Sequence, residues 1–317
     1  MDDTTVPLAG AETVERLLDY PSLIHSIREA FIHPPLTPQR LAIPIDETED
    51  QPGGTVLVMP SLRSGSLLGV KIISIQPKLT ERPGGATRAT YIAFDARRGE
   101  LKGLIDGHAL TLRRTAATSM LAAQVMARPD PETVLVIGTG SLAKSLAQAY
   151  AETFRSRHLI IWGRRADKAQ ALADQLAAKG IETQAASDLP EALAAADIIT
   201  SATLAQEPLV LGRHVRPGTH VDLVGGFTPN MREADDHLIS RAAVVADVES
   251  TLAEAGDLAR PIESGVIRKD EIATLREVLT GVRRARRSPS DITLFKSAGH
   301  ALEDLAGAEL LFKRWKV

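Results

Sequence analysis

The 317-residue sequence has no cysteine, few aromatic residues and no strong excess of charge. Without cysteine, disulfide frameworks, thiolate nucleophiles and cysteine-ligated zinc are excluded. Phe, Trp and Tyr make up only 3% of the residues, which disfavours stacking platforms for single-stranded nucleic acid. The formal net charge of −3 offers no basic face to a nucleic acid. We therefore expect a globular protein with no nucleic-acid partner, suited to a reducing compartment.

Long hydrophobic runs are also missing. The apolar segments are shorter than the ~20 residues that cross a bilayer. Residues 1–5 are acidic, whereas an export signal would begin basic and continue apolar. The eight histidines form no cluster with the spacing of metal ligands. The sequence thus predicts a cytoplasmic protein with no membrane partner and no metal site.

Two kinds of structural pattern follow each other along the chain. One helix is expected over Glu12–Phe31, because apolar residues recur at helical spacing up to Pro34 and Pro35. Short apolar runs at 54–59, 68–75 and 90–94 are typical of strands in a mixed sheet. From Thr133 onward, apolar runs alternate with helical segments. This alternation predicts an α/β fold with a Rossmann doubly wound parallel sheet.

A glycine-rich turn carries the strongest functional signal. It joins the apolar run Thr133–Ile137 to a helical segment, with the spacing G-x-G-x-x-A at Gly138, Gly140 and Ala143. Gly138 permits a tight turn, Gly140 lets a pyrophosphate approach the backbone, and Ala143 allows close packing of helix on strand. The phosphates would bind at the helix N-terminus. The context predicts a dinucleotide site, and a purely structural turn is the alternative.

The next apolar run ends in two arginines where an NAD-selective site would carry an acid. Arg164 and Arg165 follow the run His158–Trp162 and Gly163. Guanidinium groups suit a ribose 2′-phosphate, whereas a carboxylate would hold the ribose hydroxyls. We therefore expect NADPH as the cofactor, with NADH as the second choice. Solvated charges at a helix entrance are the alternative interpretation.

Two further runs place ligand-binding candidates after parallel strands. Thr203 follows the run 197–202, and Gly225 and Gly226 follow the run 220–224. Ligands of open α/β sheets bind at the carboxyl ends of the strands, and glycine permits close backbone approach. Simple turn chemistry explains these residues equally well.

Cations in the first third of the chain are candidates for binding an acidic substrate. Lys71 interrupts an apolar strand, where an unpaired buried charge would be costly. Arg113 and Arg114 lie in an alanine-rich helical segment, and one of them could hold a carboxylate through two parallel hydrogen bonds. Arg40 is a further cation of this region. For each of them, a solvated surface charge is the alternative.

Several segments resemble the ornithine cyclodeaminase/mu-crystallin family, in the family's order and over nearly the whole chain. They are V-K-I-I at 70–73, L-I-D-G at 104–107, L-R-R-T-A-A-T-S at 112–119, V-I-G-T-G at 136–140 and F-K-S-A-G at 295–299, followed by Glu303 and Asp304. The resemblance is strongest to the family's ketimine reductases. It implies a Rossmann domain over 119–292, inserted into an α+β substrate-binding and dimerisation domain made of 1–118 and 293–317. It also implies a homodimer.

The resemblance implies site residues position by position. The substrate carboxylate is expected on Arg40, Lys71 and Arg114, with Lys71 and Arg114 as the catalytic residues and Ala298 as a further substrate contact. Cofactor contacts are expected at Arg114, Ser141, Leu142, Thr203, Val224 and Ser297, together with Gly138, Gly140, Gly225, Arg164 and Arg165. A functional threonine of the family falls on Thr87 or Thr90, and we assign Thr87 to the cofactor.

One departure from the cyclodeaminase pattern bears on function. Cyclodeaminases carry a catalytic aspartate in a G-G-D-x-P-G-K segment, and Phe227 stands at that position here. A phenyl ring cannot act as a base, and the family's ketimine reductases also lack the aspartate. The resemblance therefore implies NADPH-dependent reduction of small cyclic ketimine carboxylates. The implied reactions are 1-pyrroline-2-carboxylate to proline and 1-piperideine-2-carboxylate to pipecolate, with Phe227 as an apolar wall for the substrate ring.

Three alternatives remain open at this point. The first is an alanine or opine-type amino-acid dehydrogenase. The second is an ornithine cyclodeaminase that uses another acid, such as Asp222 or Glu233. The third is a protein that binds NADPH and a small ligand without turnover. Oxidation of the reduced cofactor by a cyclic imine distinguishes the reductase from all three.

Overall fold

The computed structural model describes residues 6–48, 53–76, 78–79, 86–154 and 158–315. Within these ranges the helices are α1 (Ala11–Leu17), α2 (Tyr20–Ile32), α3 (Gly107–Met126), α4 (Ser141–Phe154), α5 (Ala166–Ala177), α6 (Leu189–Ala195), α7 (Asp236–Arg241), α8 (Thr251–Glu254), α9 (Gly256–Glu263), α10 (Leu275–Leu279) and α11 (Ala301–Arg314). No helix in the described ranges combines the length and the apolar character needed to cross a membrane.

The strands form two separate sheets. They are β1 (Leu8–Ala9), β2 (Leu41–Ile45), β3 (Gly54–Arg63), β4 (Leu67–Ile75), β5 (Thr87–Asp95), β6 (Leu101–Asp106), β7 (Thr133–Ile137), β8 (His158–Trp162), β9 (Thr183–Ala185), β10 (Ile198–Ser201), β11 (His220–Leu223), β12 (Ala242–Ala246), β13 (Ala273–Thr274) and β14 (Ile292–Lys296). The chain divides into two compact units, Met1–Ala117 with His300–Val317, and Thr118–Gly299.

The first unit is built on a mixed six-stranded sheet in the order β1-β6-β5-β4-β3-β2. All its pairs are antiparallel except β1 with β6. Alternate residues of β4 are buried, and helix α11 packs against β3, β4 and α2. Lys71 belongs to the buried set of β4. The period of two therefore places a lysine on the helix-covered face of the sheet.

The single helix expected over Glu12–Phe31 is wrong, because the structure has two helices there. Helix α1 ends at Leu17 and helix α2 begins at Tyr20. Asp19 is the N-cap of α2, and its carboxylate accepts a hydrogen bond of 2.9 Å from the Ser22 amide. Pro21 lies in the first turn of α2, where the amide that proline lacks would have had no helical partner. The apolar spacing continued across the break and concealed these start signals.

The second unit contains an eight-stranded, fully parallel sheet in the order β13-β12-β14-β11-β10-β7-β8-β9. The central strands are continuous apolar runs, as expected for strands buried on both faces. The order reverses between β7 and β10, which is the position where open α/β sheets bind ligands. The predicted doubly wound parallel sheet is confirmed.

The boundary between the units near the C-terminus differs from the expected one at 292/293. Strand β14 pairs with β11 and β12 inside the parallel sheet, so it belongs to the second unit. The structural boundary therefore lies between Gly299 and His300. The short apolar run before the last helix could not reveal from sequence which sheet it would join.

Candidate active site

The residues assigned to the cofactor lie along one edge of the parallel sheet, with Thr87 and Arg114, in the first unit, as the exceptions. Because all strands run the same way, their carboxyl ends share an edge. In the order β14, β11, β10, β7 and β8, the residues that follow these ends are Ser297 and Ala298, then Val224, Gly225 and Phe227, then Thr203, then Gly138, Gly140, Ser141 and Leu142, then Arg164 and Arg165. The structure thus brings together residues that are up to about 160 positions apart in sequence.

The turn between β7 and α4 fits a dinucleotide pyrophosphate. Gly138 has φ of 127°, and a Cβ there would lie 2.7 Å from the Ala202 carbonyl oxygen. A Cβ on Gly140 would meet nothing within 4 Å, so the backbone is open there. Helix α4 begins at Ser141, and a helix N-terminus offers amide N–H groups that suit an anion. Arg164 and Arg165 follow β8 and are exposed, and Arg165 is the N-cap of α5.

A buried carboxylate, Glu233, fastens the ends of β10 and β11. Its Oε1 accepts hydrogen bonds from Ser201 Oγ at 2.6 Å, Thr203 N at 2.8 Å and Thr203 Oγ1 at 2.8 Å. Its Oε2 accepts from Gly225 N at 2.7 Å and Gly226 N at 3.3 Å. The loops that carry Thr203 and Gly225 are therefore tied to one carboxyl group.

A second buried carboxylate, Asp247, organises the loop after β14. Its Oδ2 accepts from Ser297 Oγ at 3.0 Å, Ala298 N at 2.9 Å and Gly299 N at 3.0 Å. Its Oδ1 accepts from the Val248 amide and the Thr251 hydroxyl. Asp247 directly follows β12, so neighbouring strands hold the loop that carries Ser297.

In the first unit, Lys71 and Arg114 share one acidic partner. Lys71 Nζ lies 2.7 Å from Asp304 Oδ2, and Arg114 Nε donates to Asp304 Oδ1 at 2.9 Å. Arg114 Nη1 donates to Glu303 Oε2 at 2.6 Å. All four side chains are buried, with Arg114 4% exposed as the most accessible. The predicted pair of cations is thus assembled, and two carboxylates from α11 balance its charge.

Burial changes the acidity of this cluster. The pKa of Lys71 falls from its ordinary value to about 8, chiefly because burial disfavours the ammonium and secondly because Arg114 repels it. Asp304 opposes the change by attraction and hydrogen bonding. Lys71 therefore remains cationic at neutral pH but loses its charge in mildly alkaline solution.

Arg40 and Thr87 have their own positions in the first unit. Arg40 is half-buried and immediately precedes β2. Since Leu41 pairs with Val58 and Met59 with Lys71, Arg40 starts about two strand spacings, ~10 Å, from Lys71. Thr87 begins β5, and its hydroxyl lies 3.4 Å from His108 Nδ1. His108 is in the first turn of α3, the helix that carries Arg114.

The acids considered as alternative catalytic bases are both engaged. Asp222 is fully buried within β11 and accepts from Ser119, Thr200 and Tyr150 at 3.2, 2.8 and 3.1 Å. Burial raises the pKa of Asp222 to about 6. Glu233 is also fully buried and accepts from loop groups. Phe227, at the position of the cyclodeaminase aspartate, is half-buried.

Sequence reasoning missed the buried carboxylates that hold the site. Glu303 and Asp304 stood in a recognised motif without a role, and Asp247 was not noticed. The available signal was position: Asp247 directly follows an apolar strand, Lys296 ends one, and Lys71 interrupts one. A charge in such a run must find a partner when buried, but the sequence does not say which.

The comparisons with known proteins agree over nearly the whole chain. The sequence profile of the Ornithine cyclodeaminase/mu-crystallin family matches residues 6–317. A Delta(1)-pyrroline-2-carboxylate reductase of Paracoccus denitrificans is 36% identical over 307 residues, which cover 96% of this chain and 92% of that protein. The structure of Thermococcus litoralis Delta(1)-pyrroline-2-carboxylate reductase in complex with NADH and L-proline gives a TM-score of 0.90 at 31% identity, over 98% of this chain and 97% of the other.

A more distant structure shares the fold. An archaeal alanine dehydrogenase dimer with bound NAD gives a TM-score of 0.88 at 24% identity, covering 98% of this chain and 95% of that one. The match of the family profile to nearly every residue confirms the resemblance that the sequence motifs indicated. The chain belongs to the ornithine cyclodeaminase/mu-crystallin family.

Proposed function

We propose that this protein is an NADPH-dependent reductase of small cyclic ketimine carboxylates, with 1-pyrroline-2-carboxylate and 1-piperideine-2-carboxylate as substrates. The observation that carries the proposal is the buried Lys71–Arg114 pair in a chain that also has a dinucleotide-binding edge. Reductases of this kind are among the relatives, and they act on a carbon–nitrogen double bond with a nicotinamide cofactor. The chain is accordingly an NAD(P)H oxidoreductase acting on such bonds.

The substrate carboxylate is assigned to the first unit. A guanidinium presents its N–H groups in a planar fork that suits a carboxylate, and the contacts with Glu303 and Asp304 hold the fork of Arg114 in position. Lys71 adds a charge fixed in position by Asp304. Arg40 starts about two strand spacings from Lys71, so its long side chain can reach the same substrate carboxylate. These contacts restrict the orientation of a small acid, which is the main requirement for reducing an electrophilic imine.

The second unit is assigned to the dinucleotide. When bound, a reduced nicotinamide dinucleotide supplies the hydride. The open backbone at Gly140 and the N-terminus of α4 suit its pyrophosphate. The exposed side chains of Arg164 and Arg165 suit a 2′-phosphate, which favours NADPH. The Thermococcus litoralis relative was solved with NADH, so NADH is the second choice here.

The structure argues against the cyclodeaminase alternative. A catalytic base must reach its substrate, but the carboxylates of Asp222 and Glu233 are buried and already accept hydrogen bonds from several protein groups. Phe227 offers an apolar ring instead of an acid. In the proposed reduction, the substrate nitrogen keeps the proton that it carries in the iminium form. The reaction therefore needs no catalytic base of the kind that deamination requires.

The decisive assay follows oxidation of NADPH, and separately of NADH, by each cyclic imine. We expect turnover with both imines and a lower KM for NADPH, since two exposed arginines follow β8, where the ribose 2′-phosphate is expected. L-ornithine with NAD⁺ should release no ammonia. Release of ammonia from ornithine would instead support a cyclodeaminase, and cofactor binding without turnover on any imine or keto acid would support a binding protein.

We also propose that the protein is a homodimer through the uncovered face of the mixed sheet. The residues of β3 and β4 that alternate with the buried set are mostly apolar, among them Val56, Val58, Val70 and Ile72. Leu41 and Ile43 of β2 are 58% and 44% exposed. A contiguous apolar sheet face of this kind is typical of an association surface.

Replacing Ile43 by lysine is expected to weaken the dimer, because a charge would be buried at its interface. Sedimentation velocity should show a shift toward monomer at micromolar concentration. Val282→Lys is the matched control, since Val282 is 72% exposed in the second unit, outside this sheet. A dimer that tolerates Ile43→Lys and Val282→Lys equally would contradict the assignment of this face.

A further inference from the structure

The loop carboxylate Glu233 has no part in the proposed chemistry, yet, like Asp247, it accepts five hydrogen bonds at the cofactor edge. Five N–H or O–H groups donate to it, from the last residue of β10 and from the loops after β10 and β11. Both of its oxygens accept from backbone N–H groups, which can only donate, and this fits the ionised form. Burial raises the pKa of Glu233 above its ordinary value, and the nearby Lys296 ammonium opposes this rise.

A buried ion pair supports this charge. Lys296 Nζ lies 2.9 Å from Asp257 Oδ2 and 4.0 Å from Glu233 Oε2, and all three side chains are fully buried. Asp257 Oδ1 also accepts from the Glu233 amide at 2.7 Å, which fixes the backbone that carries the glutamate. Lys296 directly precedes Ser297, another residue assigned to the cofactor. The cluster of Lys296, Asp257 and Glu233 is therefore buried next to the loops that would bind a ligand.

The direction of the peptide groups decides what these loops offer. In a trans peptide the N–H and the C=O point in opposite directions. Since the amides of Gly225 and Gly226 point toward Glu233, the carbonyls of Val224 and Gly225 point away from it. In the described part of the chain, no donor reaches either carbonyl oxygen. These two carbonyl oxygens can accept the hydrogen bonds that the NH₂ group of a carboxamide donates.

The Thr203 amide extends the same arrangement to the glycine turn. It donates to Glu233, so the Ala202 carbonyl points the other way, toward Gly138. A Cβ on Gly138 would lie 2.7 Å from that carbonyl oxygen. Movement of Glu233 would therefore disturb the backbone beside the pyrophosphate turn as well as the two carbonyls.

We propose that Glu233 is the positioning residue of the nicotinamide subsite, where its carboxylate turns the carbonyls of Val224 and Gly225 toward the carboxamide of the reduced cofactor. Glu233 acts through these loops and does not touch the cofactor. The inference rests on the proposed function only in that the ligand is a nicotinamide dinucleotide.

The test is Glu233→Gln, with binding of NADPH and NADH measured by fluorescence in the absence of any imine. The amide NH₂ of glutamine would face loop donors, so at least one peptide group must turn away. We expect the dissociation constant of the preferred dinucleotide to rise about tenfold or more, the effect of losing one charge-assisted hydrogen bond. The KM for the dinucleotide should rise in parallel, with a smaller change in kcat.

Asp197→Asn separates positioning from general stability. Asp197 lies at the opposite, amino edge of the same sheet, where it accepts from the Glu132 and Thr133 amides at 2.9 and 3.1 Å and pairs with Arg128 and Arg216. It is 9% exposed and ties neighbouring chain segments together as Glu233 does. We expect Asp197→Asn to lower the thermal midpoint as Glu233→Gln does, but to leave dinucleotide affinity within about twofold.

Unchanged dinucleotide affinity in Glu233→Gln, at whatever thermal midpoint, would overturn the inference. If that variant does not fold, Ser201→Ala serves in its place, because it removes one donor and keeps the carboxylate. Its dissociation constant should rise about threefold, and no change would likewise overturn the inference. A wild-type protein that binds neither dinucleotide would overturn the proposed function itself, whereas binding without imine turnover would leave the role of Glu233 intact.

Discussion

Arg114→Lys is expected to lower kcat/KM for a cyclic imine carboxylate about a thousandfold. Lysine keeps the charge but lacks the planar fork that can hold two acids and a substrate carboxylate together. The guanidinium of Arg114 already bonds Glu303 and Asp304, so a point charge would leave at least one buried carboxylate without its donor. Such a loss is on the order of 4 kcal/mol in transition-state binding.

The neighbouring Arg113 provides a matched control. Its guanidinium donates to the Leu18 carbonyl at 2.6 and 3.0 Å and stacks 3.9 Å from the centre of the Tyr20 ring. Arg113→Lys should therefore lower stability somewhat while changing kcat/KM by less than about threefold. Initial rates of NADPH oxidation and thermal midpoints should be measured for both variants. Equal losses of kcat/KM in the two variants would remove Arg114 from the site.

The contrast between these adjacent arginines shows how far sequence reasoning reaches. The sequence restricted the carboxylate ligand to Arg113 or Arg114, and the family motif selected Arg114. Composition and periodicity alone could not separate them, because adjacent helical residues differ by about 100° in direction and the sequence does not fix which direction faces the sheet. Only the packing of α11 against β4 places Glu303 and Asp304 opposite Arg114.

The fold was predictable from the sequence where the residue pattern of a segment favours the same structure as its packing in the folded protein. The parallel sheet follows from apolar runs alternating with helices, and the glycine turn from its spacing. The break at Asp19 carried local signals, an N-cap and a proline, which the continuing apolar spacing concealed. The sheet that β14 joins was not predictable, since it depends on partner strands distant in the chain. The same limit applies to Glu233, whose five donors come from the end of β10 and from two loops that only the folded sheet brings together.

The acidity of Lys71 gives the protein a pH dependence with a defined sign. Burial and Arg114 lower the pKa of Lys71 to about 8, so its ammonium is present below that pH and lost above it. Attraction for a substrate carboxylate is lost together with the charge. The contribution of Lys71 to kcat/KM, which reports ionisations of the free enzyme, should therefore fall about tenfold per pH unit above pH ~8.

Lys71→Arg tests whether deprotonation of Lys71 causes the fall in kcat/KM at alkaline pH. A guanidinium does not deprotonate in this pH range. The variant should therefore have a lower kcat/KM on its plateau, but residue 71 should cause no further fall in kcat/KM above pH ~8. Protonation of the imine itself also falls with pH, but that contribution is the same for both proteins. The ratio of wild-type to variant kcat/KM isolates the side chain: it should be constant below pH ~7 and decline through pH ~8. A ratio that stays flat across the whole range would mean that the charge of Lys71 does not act on the substrate, and the paired cations would then serve only to bind helix α11 to the sheet.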